Sequence, residues 1–405
     1  MLIFLALFLL RRGFVGIWEI NDFEVIRHGV VKAIEGSEDV YQAPSIEGRH
    51  YLYPPVALPI LLPLGIIPYH VSGVIFTLLR LASLCFIIWL PFRMVPHRDI
   101  HPEIYNKSAR VVKFLSHVHP AWLIIIALVP TFRYINSSFG NGQINILLAA
   151  LVFGGLYLAG KKEVGKKFSG GILVGLATLV KATPLIFILP LFFRKKWKAI
   201  TGFAIISIII SVIAWFWLSP HNAVFWSDWR LMTRSMAYGA VTSDRIVSLP
   251  ETITAICGHF NPDISHTAIF IIFLISLFAG GLLILFVRLK PYLNKSDSPP
   301  LWYDASFFFS LSLILSPMIR KSHLAPVVFI FLSCLLHTIR RLPEKTGYLW
   351  WLGASAFLFF AGESLNTENF LPGKNANFTL FLAMVTLLIS LWKMPLDNTP
   401  HETAQ

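Results

Sequence analysis

Apolar runs of about 17–25 residues recur along the whole chain, the length a helix needs to cross the hydrocarbon core of a bilayer. They fall at 2–20, 69–95, 118–132, 141–160, 168–182, 183–194, 199–219, 264–288, 301–318, 323–340, 347–363 and 376–393, with short polar or basic stretches between them. The pattern predicts an all-α polytopic membrane protein, a bundle of about 12 transmembrane helices. The runs at 168–182 and 183–194 are short for helices that each need ~30 Å at 1.5 Å per residue. Tilted, longer and half-spanning helices all remain open there.

Two longer stretches interrupt the pattern, 20–68 and 220–263. Both carry Trp or Tyr, His and charges of both signs, with turn signals such as Gly36-Ser37, Tyr53-Pro54-Pro55 and Leu249-Pro250. Neither is long enough for a domain of its own. Residues 1–405 are therefore read as a single integral membrane domain with outer-face loops 20–68 and 220–263 and a cytoplasmic tail at 394–405. Residues 21–32 are expected to lie as an interfacial amphipathic helix with Phe23, Val25 and Ile26 facing lipid. No inverted repeat of the kind found in many transporters is visible.

Composition agrees: 56% of the residues are hydrophobic and only 14% charged, outside the range of soluble domains. The net charge of +13 is unevenly placed. Under the alternation of spans, the predicted cytoplasmic segments hold 20 Lys/Arg against 8 Asp/Glu, and the predicted outer segments hold 13 of each. That is positive-inside sorting, with both termini cytoplasmic. The basic balance thus reflects orientation and anionic inner-leaflet lipid rather than nucleic acid. Three cysteines give no disulfide framework: Cys85 and Cys334 fall in apolar spans, and Cys257 stands alone in a loop. No basic region precedes Leu2–Leu10, so the N-terminus does not read as a signal peptide. The first helix is either short, with Arg11 and Arg12 snorkelling, or incomplete as it stands.

The same charge pattern singles out Lys181. Clusters Lys161/Lys162/Lys166/Lys167 and Arg194/Lys195/Lys196/Lys198 bracket an apolar run in which Lys181 is the lone charge, with Pro184 just after it. If both clusters are cytoplasmic, the run crosses and returns, leaving Lys181 at the outer face. A charge at that depth is costly and is a functional candidate by default.

Further polar candidates gather on the same side. Asp22 follows the first span directly; it is either a helix N-cap or a general base within reach of a lipid head group. Gln143 and Asn145 open the fourth span, where amides either join helices or bind hydroxyls. Tyr53 is either an interfacial anchor or part of a sugar pocket. Arg320, Lys321 and His323 crowd one outer turn between two spans. Snorkelling is the ordinary explanation, but outer basic residues run against the sorting rule, and a phosphate held there supplies a reason to keep them.

Asp22 after the first span, Tyr53-Pro54-Pro55, Gly142-Gln143-x-Asn145, Gly175 to Lys181-x-x-Pro184, and Leu315-Ser316-Pro317 with His323 resemble glycosyltransferase family 87. These are polyprenyl-phosphate-sugar-dependent enzymes of the GT-C superfamily. The resemblance spans roughly 20–335; the segment from Gly142 to Pro184 is its most specific part, and Ile319 or Arg320 stands where the family usually has Trp. It implies a GT-C-like bundle, Asp22 as catalytic base, and Lys181 and His323 near the donor phosphate.

Together these readings lead to an inverting hexosyltransferase, mannose being the expected sugar. It needs no metal and no cofactor. Its partners would be a polyprenyl-phosphate sugar, a glycolipid or glycan acceptor, and membrane lipid. Asp22 would be the base; Lys181, His323, Arg320 and Lys321 would meet the phosphate; Gln143, Asn145 and Tyr53 would meet hydroxyls. Two other classes fit a polytopic chain: a secondary transporter, whose ionisable residues belong nearer the midplane, and a non-catalytic lipid-binding scaffold.

Overall fold

The computed structural model describes residues 2–18, 22–42, 49–95, 118–242, 271, 278, 281, 299–315, 321–341, 347–361 and 378–394. Within them every regular element is helical. In chain order they are α1 Leu2–Trp18, α2 Asp22–Ile34, α3 Leu58–Ile66, α4 Tyr69–Met94, α5 Pro120–Gly140, α6 Asn145–Ala159, α7 Val164–Val180 and α8 Ile188–Phe193. There follow α9 Trp197–Trp217, α10 Asn222–Thr242, α11 Leu301–Leu315, α12 Val327–Arg341, α13 Gly347–Ala361 and α14 Phe378–Lys393. Short 3₁₀ turns at Pro55–Ala57, Thr183–Phe187 and Lys321–Leu324 precede α3, α8 and α12.

This is an all-α polytopic membrane protein. Tyr69–Met94, Pro120–Gly140, Trp197–Trp217 and Ser322–Arg340 are long and apolar enough to cross a bilayer by length and composition. The remaining apolar helices are shorter, 10–17 residues. Eleven of the expected spans coincide with described helices; the one at 264–288 falls almost wholly outside the described residues. The third expected span was drawn too short, since α5 runs on to Gly140 through Tyr134, Ile135 and Phe139, which are buried against neighbouring helices.

The stretch 20–68 is more structured than a loop, because α2 and α3 occupy much of it. Contrary to expectation, Phe23, Val25 and Ile26 face protein: their exposures are 1%, 7% and 0%. Phe23 stacks on Phe76 of α4 at 5.2 Å, and Gly29 lies directly against the Tyr51 ring. The apolar face of α2 is therefore a packing face rather than a lipid face. In the stretch 220–263, α10 and the residue before it meet the stretch 20–68: His221 Nδ1 meets Glu38 Oε1 at 2.8 Å, Gln42 donates to Asp228 at 3.0 Å, and Trp229 Nε1 donates to the Leu52 carbonyl at 3.3 Å. Residues 243–263 and the tail beyond Met394 lie outside the described residues.

Glycines bring α6, α7 and α9 together. A Cβ on Gly170 would stand 2.5 Å from the Gly155 carbonyl, and one on Gly171 would collide with the Ala199 carbonyl. Gly202 faces the Phe168 carbonyl in the same way. Without an aqueous driving force between membrane helices, such close backbone approach is what holds them. At the other end of α7's hairpin, Arg194 reaches the buried Asp304 of α11 at 2.5 Å and also donates to the Pro299 carbonyl.

Candidate active site around the α5–α6 corner

α7 stops at Val180. Lys181 takes an extended backbone (φ −148, ψ 132), and Pro184 opens the 3₁₀ turn that starts the return. The break leaves the lysine side chain at the end of the helix, beside the first turn of α6. Its Nζ donates to Asn145 Oδ1 at 3.0 Å and lies 3.2 Å from Nε2 of His323. Asn145 Nδ2 in turn donates to Gln143 Oε1. The sequence thus named four residues, spread over 180 positions, that the fold gathers into one chain: Gln143, Asn145, Lys181 and His323.

Asn145, Lys181 and His323 line a cleft of about 60 Å³ whose other walls are largely apolar, with Val152, Phe187 and Phe309 prominent. That is room for a few waters or a phosphate-sized group. Beneath it Phe153 stacks on Phe329 at 4.2 Å and meets Phe309 edge-on at 5.4 Å.

Asp22 reaches the same corner by a separate route. Its backbone N–H donates to the Asn141 carbonyl at 3.0 Å. The corner itself is a Schellman ending of α5: Gly142 has φ +60, its N–H donates to the Phe139 carbonyl at 3.3 Å, and that of Gln143 to the Ser138 carbonyl at 3.1 Å. Glycine meets that left-handed position at no steric cost. The Asp22 carboxylate is partly exposed and pairs with Arg49 Nη1 at 3.4 Å, a partner that sequence reasoning missed. Arg49 lies in a loop 27 positions away, and no local pattern announces such a contact.

Tyr53 takes its place in an aromatic stack. Its ring lies 5.6 Å from Tyr51, its carbonyl accepts from Tyr41 Oη at 2.8 Å, and Tyr41 and Tyr51 are 5.5 Å apart. Burial pushes both the Tyr41 and Tyr51 hydroxyls up, helped at Tyr41 by Asp228 and at Tyr51 by its two tyrosine neighbours. They therefore stay neutral and serve as packing. Arg320 lies outside the described residues, and Lys321 is placed by its backbone alone, in the 3₁₀ turn that carries His323. Among the described residues no three His, Cys, Asp or Glu side chains stand close enough to share a metal ion.

The family model for glycosyltransferase family 87 matches residues 51–317, more than half of the chain. The chain belongs to glycosyltransferase family 87. Asp22 and His323 lie outside the matched stretch; Tyr53, Gln143, Asn145 and Lys181 lie within it. A polyprenol-phosphate-mannose-dependent alpha-(1-2)-phosphatidylinositol mannoside mannosyltransferase of Mycobacterium tuberculosis is 25% identical over 172 residues, 41% of this chain and 37% of that protein. An alpha-(1->3)-arabinofuranosyltransferase of Corynebacterium glutamicum is 27% identical over 229 residues, 55% of this chain and 47% of that one. The chain thus spans less than half the length of these relatives. Among solved structures, ArnT from Cupriavidus metallidurans bound to undecaprenyl phosphate matches with a TM-score of 0.43 and 11% identity, over 96% of this chain and 75% of that one. That likeness is too low to carry an inference about this family 87 chain.

Proposed function

We propose that this protein moves a hexose, mannose, from a polyprenyl-phosphate carrier to an acceptor hydroxyl at the outer face of the cytoplasmic membrane, both termini being cytoplasmic. The observation that carries the reading is the Lys181 ammonium, held by Asn145 at 3.0 Å beside His323 at 3.2 Å at the edge of an apolar cleft. A cation fixed in advance where phosphate charge develops is the largest lever such a reaction offers. The apolar walls suit the start of a prenyl chain, and one relative is named for a polyprenol-phosphate-mannose donor.

In this reading Asp22 takes the proton of the acceptor hydroxyl as its oxygen attacks the anomeric carbon. The bond from that carbon to the phosphate oxygen breaks with inversion, and the prenyl phosphate leaves with the electron pair. Lys181 and His323 meet its charge, with Lys321 and Arg320, close to His323 in the sequence, as further basic residues. Gln143 and Asn145 orient Lys181. General base catalysis supplies about 10²–10⁴-fold, and aimed cations a comparable or larger factor. A glycolipid or glycan acceptor fits an enzyme whose donor is also a lipid.

The test supplies proteoliposomes of the purified protein with radiolabelled polyprenyl-phosphate mannose, arabinofuranose or glucose and membrane glycolipid. Labelled glycolipid from the mannose carrier is expected. Product from the arabinose carrier alone would move the sugar assignment, and product from none would overturn the reading.

A further inference from the structure

Arg80 is 1% exposed in the middle of α4, a cation within a membrane span, where ionisable side chains are costly and rare. Its bonds converge on the corner that joins α5 to α6. Nη1 donates to the carbonyls of Ser138 and Phe139, both at 3.2 Å, and Nη2 donates to Thr77 Oγ1 at 3.1 Å. Those two carbonyls are the ones that already receive the N–H groups of Gln143 and Gly142. The guanidinium therefore adds a second donor to each acceptor of the Schellman turn, at the negative end of the α5 dipole.

The ring contacts point the same way. The guanidinium lies over Phe76 at 4.9 Å and over Phe139 at 5.0 Å, and Phe76 stacks on Phe23 at 5.2 Å. Phe23 is the neighbour of Asp22. Beside the Arg49 pair on its carboxylate, Asp22 has two fastenings that Arg80 touches: the ring stack beneath residue 23, and the corner whose Asn141 carbonyl receives the Asp22 N–H at 3.0 Å. Lys181 is tied to the corner less directly, through the Gln143 side chain that accepts from Asn145, and Asn145 is held also by the packing of α6 on α7.

From this geometry we infer that Arg80 is a positioning residue for the proposed base, setting where the Asp22 carboxylate stands relative to the phosphate-binding lysine. The inference rests on the transferase reading above. A residue that merely holds helices together would change the amount of folded protein; a positioning residue changes turnover at constant donor binding. Misplacing a reacting group by about 1 Å costs about 10²-fold.

The experiment compares wild type, Arg80→Met, Arg80→Lys and Thr77→Val in proteoliposomes, measuring kcat and the donor KM with polyprenyl-phosphate mannose. Arg80→Met is expected to lose about a hundredfold in kcat with the donor KM within about threefold. Arg80→Lys restores a donor to the corner without the fork and should recover part of the loss. If Arg80→Met does not accumulate in the membrane, Thr77→Val decides: it removes only the acceptor that orients Nη2, and kcat should fall several-fold at unchanged KM. Unchanged kcat in the variant that folds, or a rise in donor KM that accounts for the loss, overturns the inference. An inactive wild type would instead count against the transferase reading, so the two failures are separable.

Discussion

Lys181 at the end of α7 donates to Asn145 at the start of α6 across 3.0 Å, though 36 positions separate them. The amide fixes the direction of the ammonium, and His323 Nε2 at 3.2 Å completes the group. A lysine that only snorkels needs neither partner. Lys181→Gln should therefore lose a charge-assisted contact of about 1.5–3 kcal/mol, roughly ten- to hundredfold in apparent donor affinity or rate. Lys181→Arg keeps charge but changes shape and should fall between. Equal initial rates for Lys181→Gln and wild type at limiting donor would exclude the phosphate role.

Asp22 gives a cleaner chemical test. Asp22→Asn keeps size and the backbone bond to Asn141, but leaves an amide that cannot accept the hydroxyl proton. The variant should reach normal membrane levels and lose at least about 10²-fold in kcat, read from product formation at saturating donor. Substantial activity at normal levels would remove Asp22 from the base role.

Lys181, Asn145, Gln143 and His323 were legible in the sequence because polar residues in or beside apolar runs are expensive and so announce themselves. Arg80 carries the same signal, and the rule that singled out Lys181 applies to it equally. The Asp22–Asn141 contact was not legible, since a backbone carbonyl has no side-chain signature. The lipid-facing expectation for Phe23, Val25 and Ile26 failed for a related reason. Periodicity shows that α2 has an apolar face but not what covers it, and Phe76 and Tyr51 do so from distant positions. Fold class came through because spans of this length have few other uses in a chain this apolar.

Packing of α7 on α9 is the third test. Gly171→Ala places a methyl group onto the Ala199 carbonyl, a backbone atom that cannot rotate away. Overpacking of this kind costs about 1–3 kcal/mol. Because α7 carries Lys181, donor affinity should weaken together with thermal stability in detergent. Gly165→Ala, with nothing within 4 Å of its added carbon, is the control and should leave both unchanged.

The Arg194–Asp304 pair is nearly dry, with side-chain exposures of 11% and 1%. Asp304→Ala leaves the Arg194 guanidinium without its carboxylate and should cost about 3–5 kcal/mol, seen as loss of monodisperse protein after extraction. Replacing both, Arg194→Met with Asp304→Leu, should recover most of it. A double variant as poor as the single one would show that the pair itself, not the orphaned charge, matters.

Arg80 stands eleven residues into α4, about 16 Å along its axis, and it is there, not at the head of the helix, that α5 ends. Elements that frame the cleft are correspondingly short: α6 has 15 residues, about 22 Å, and the helical stretch Thr183–Phe193 is shorter still, beside 26 in α4, about 39 Å. A bilayer matched to α4 is too thick for them. Over the cleft the leaflet must thin or water must enter, at a modest cost per ångström of mismatch. Under the proposed function, a carrier lipid drifting sideways into that dip would bring its phosphate down to Lys181 without being lifted out of the membrane. Turnover should then depend on membrane thickness, falling in proteoliposomes as the acyl chains of the host bilayer lengthen and the dip becomes harder to form.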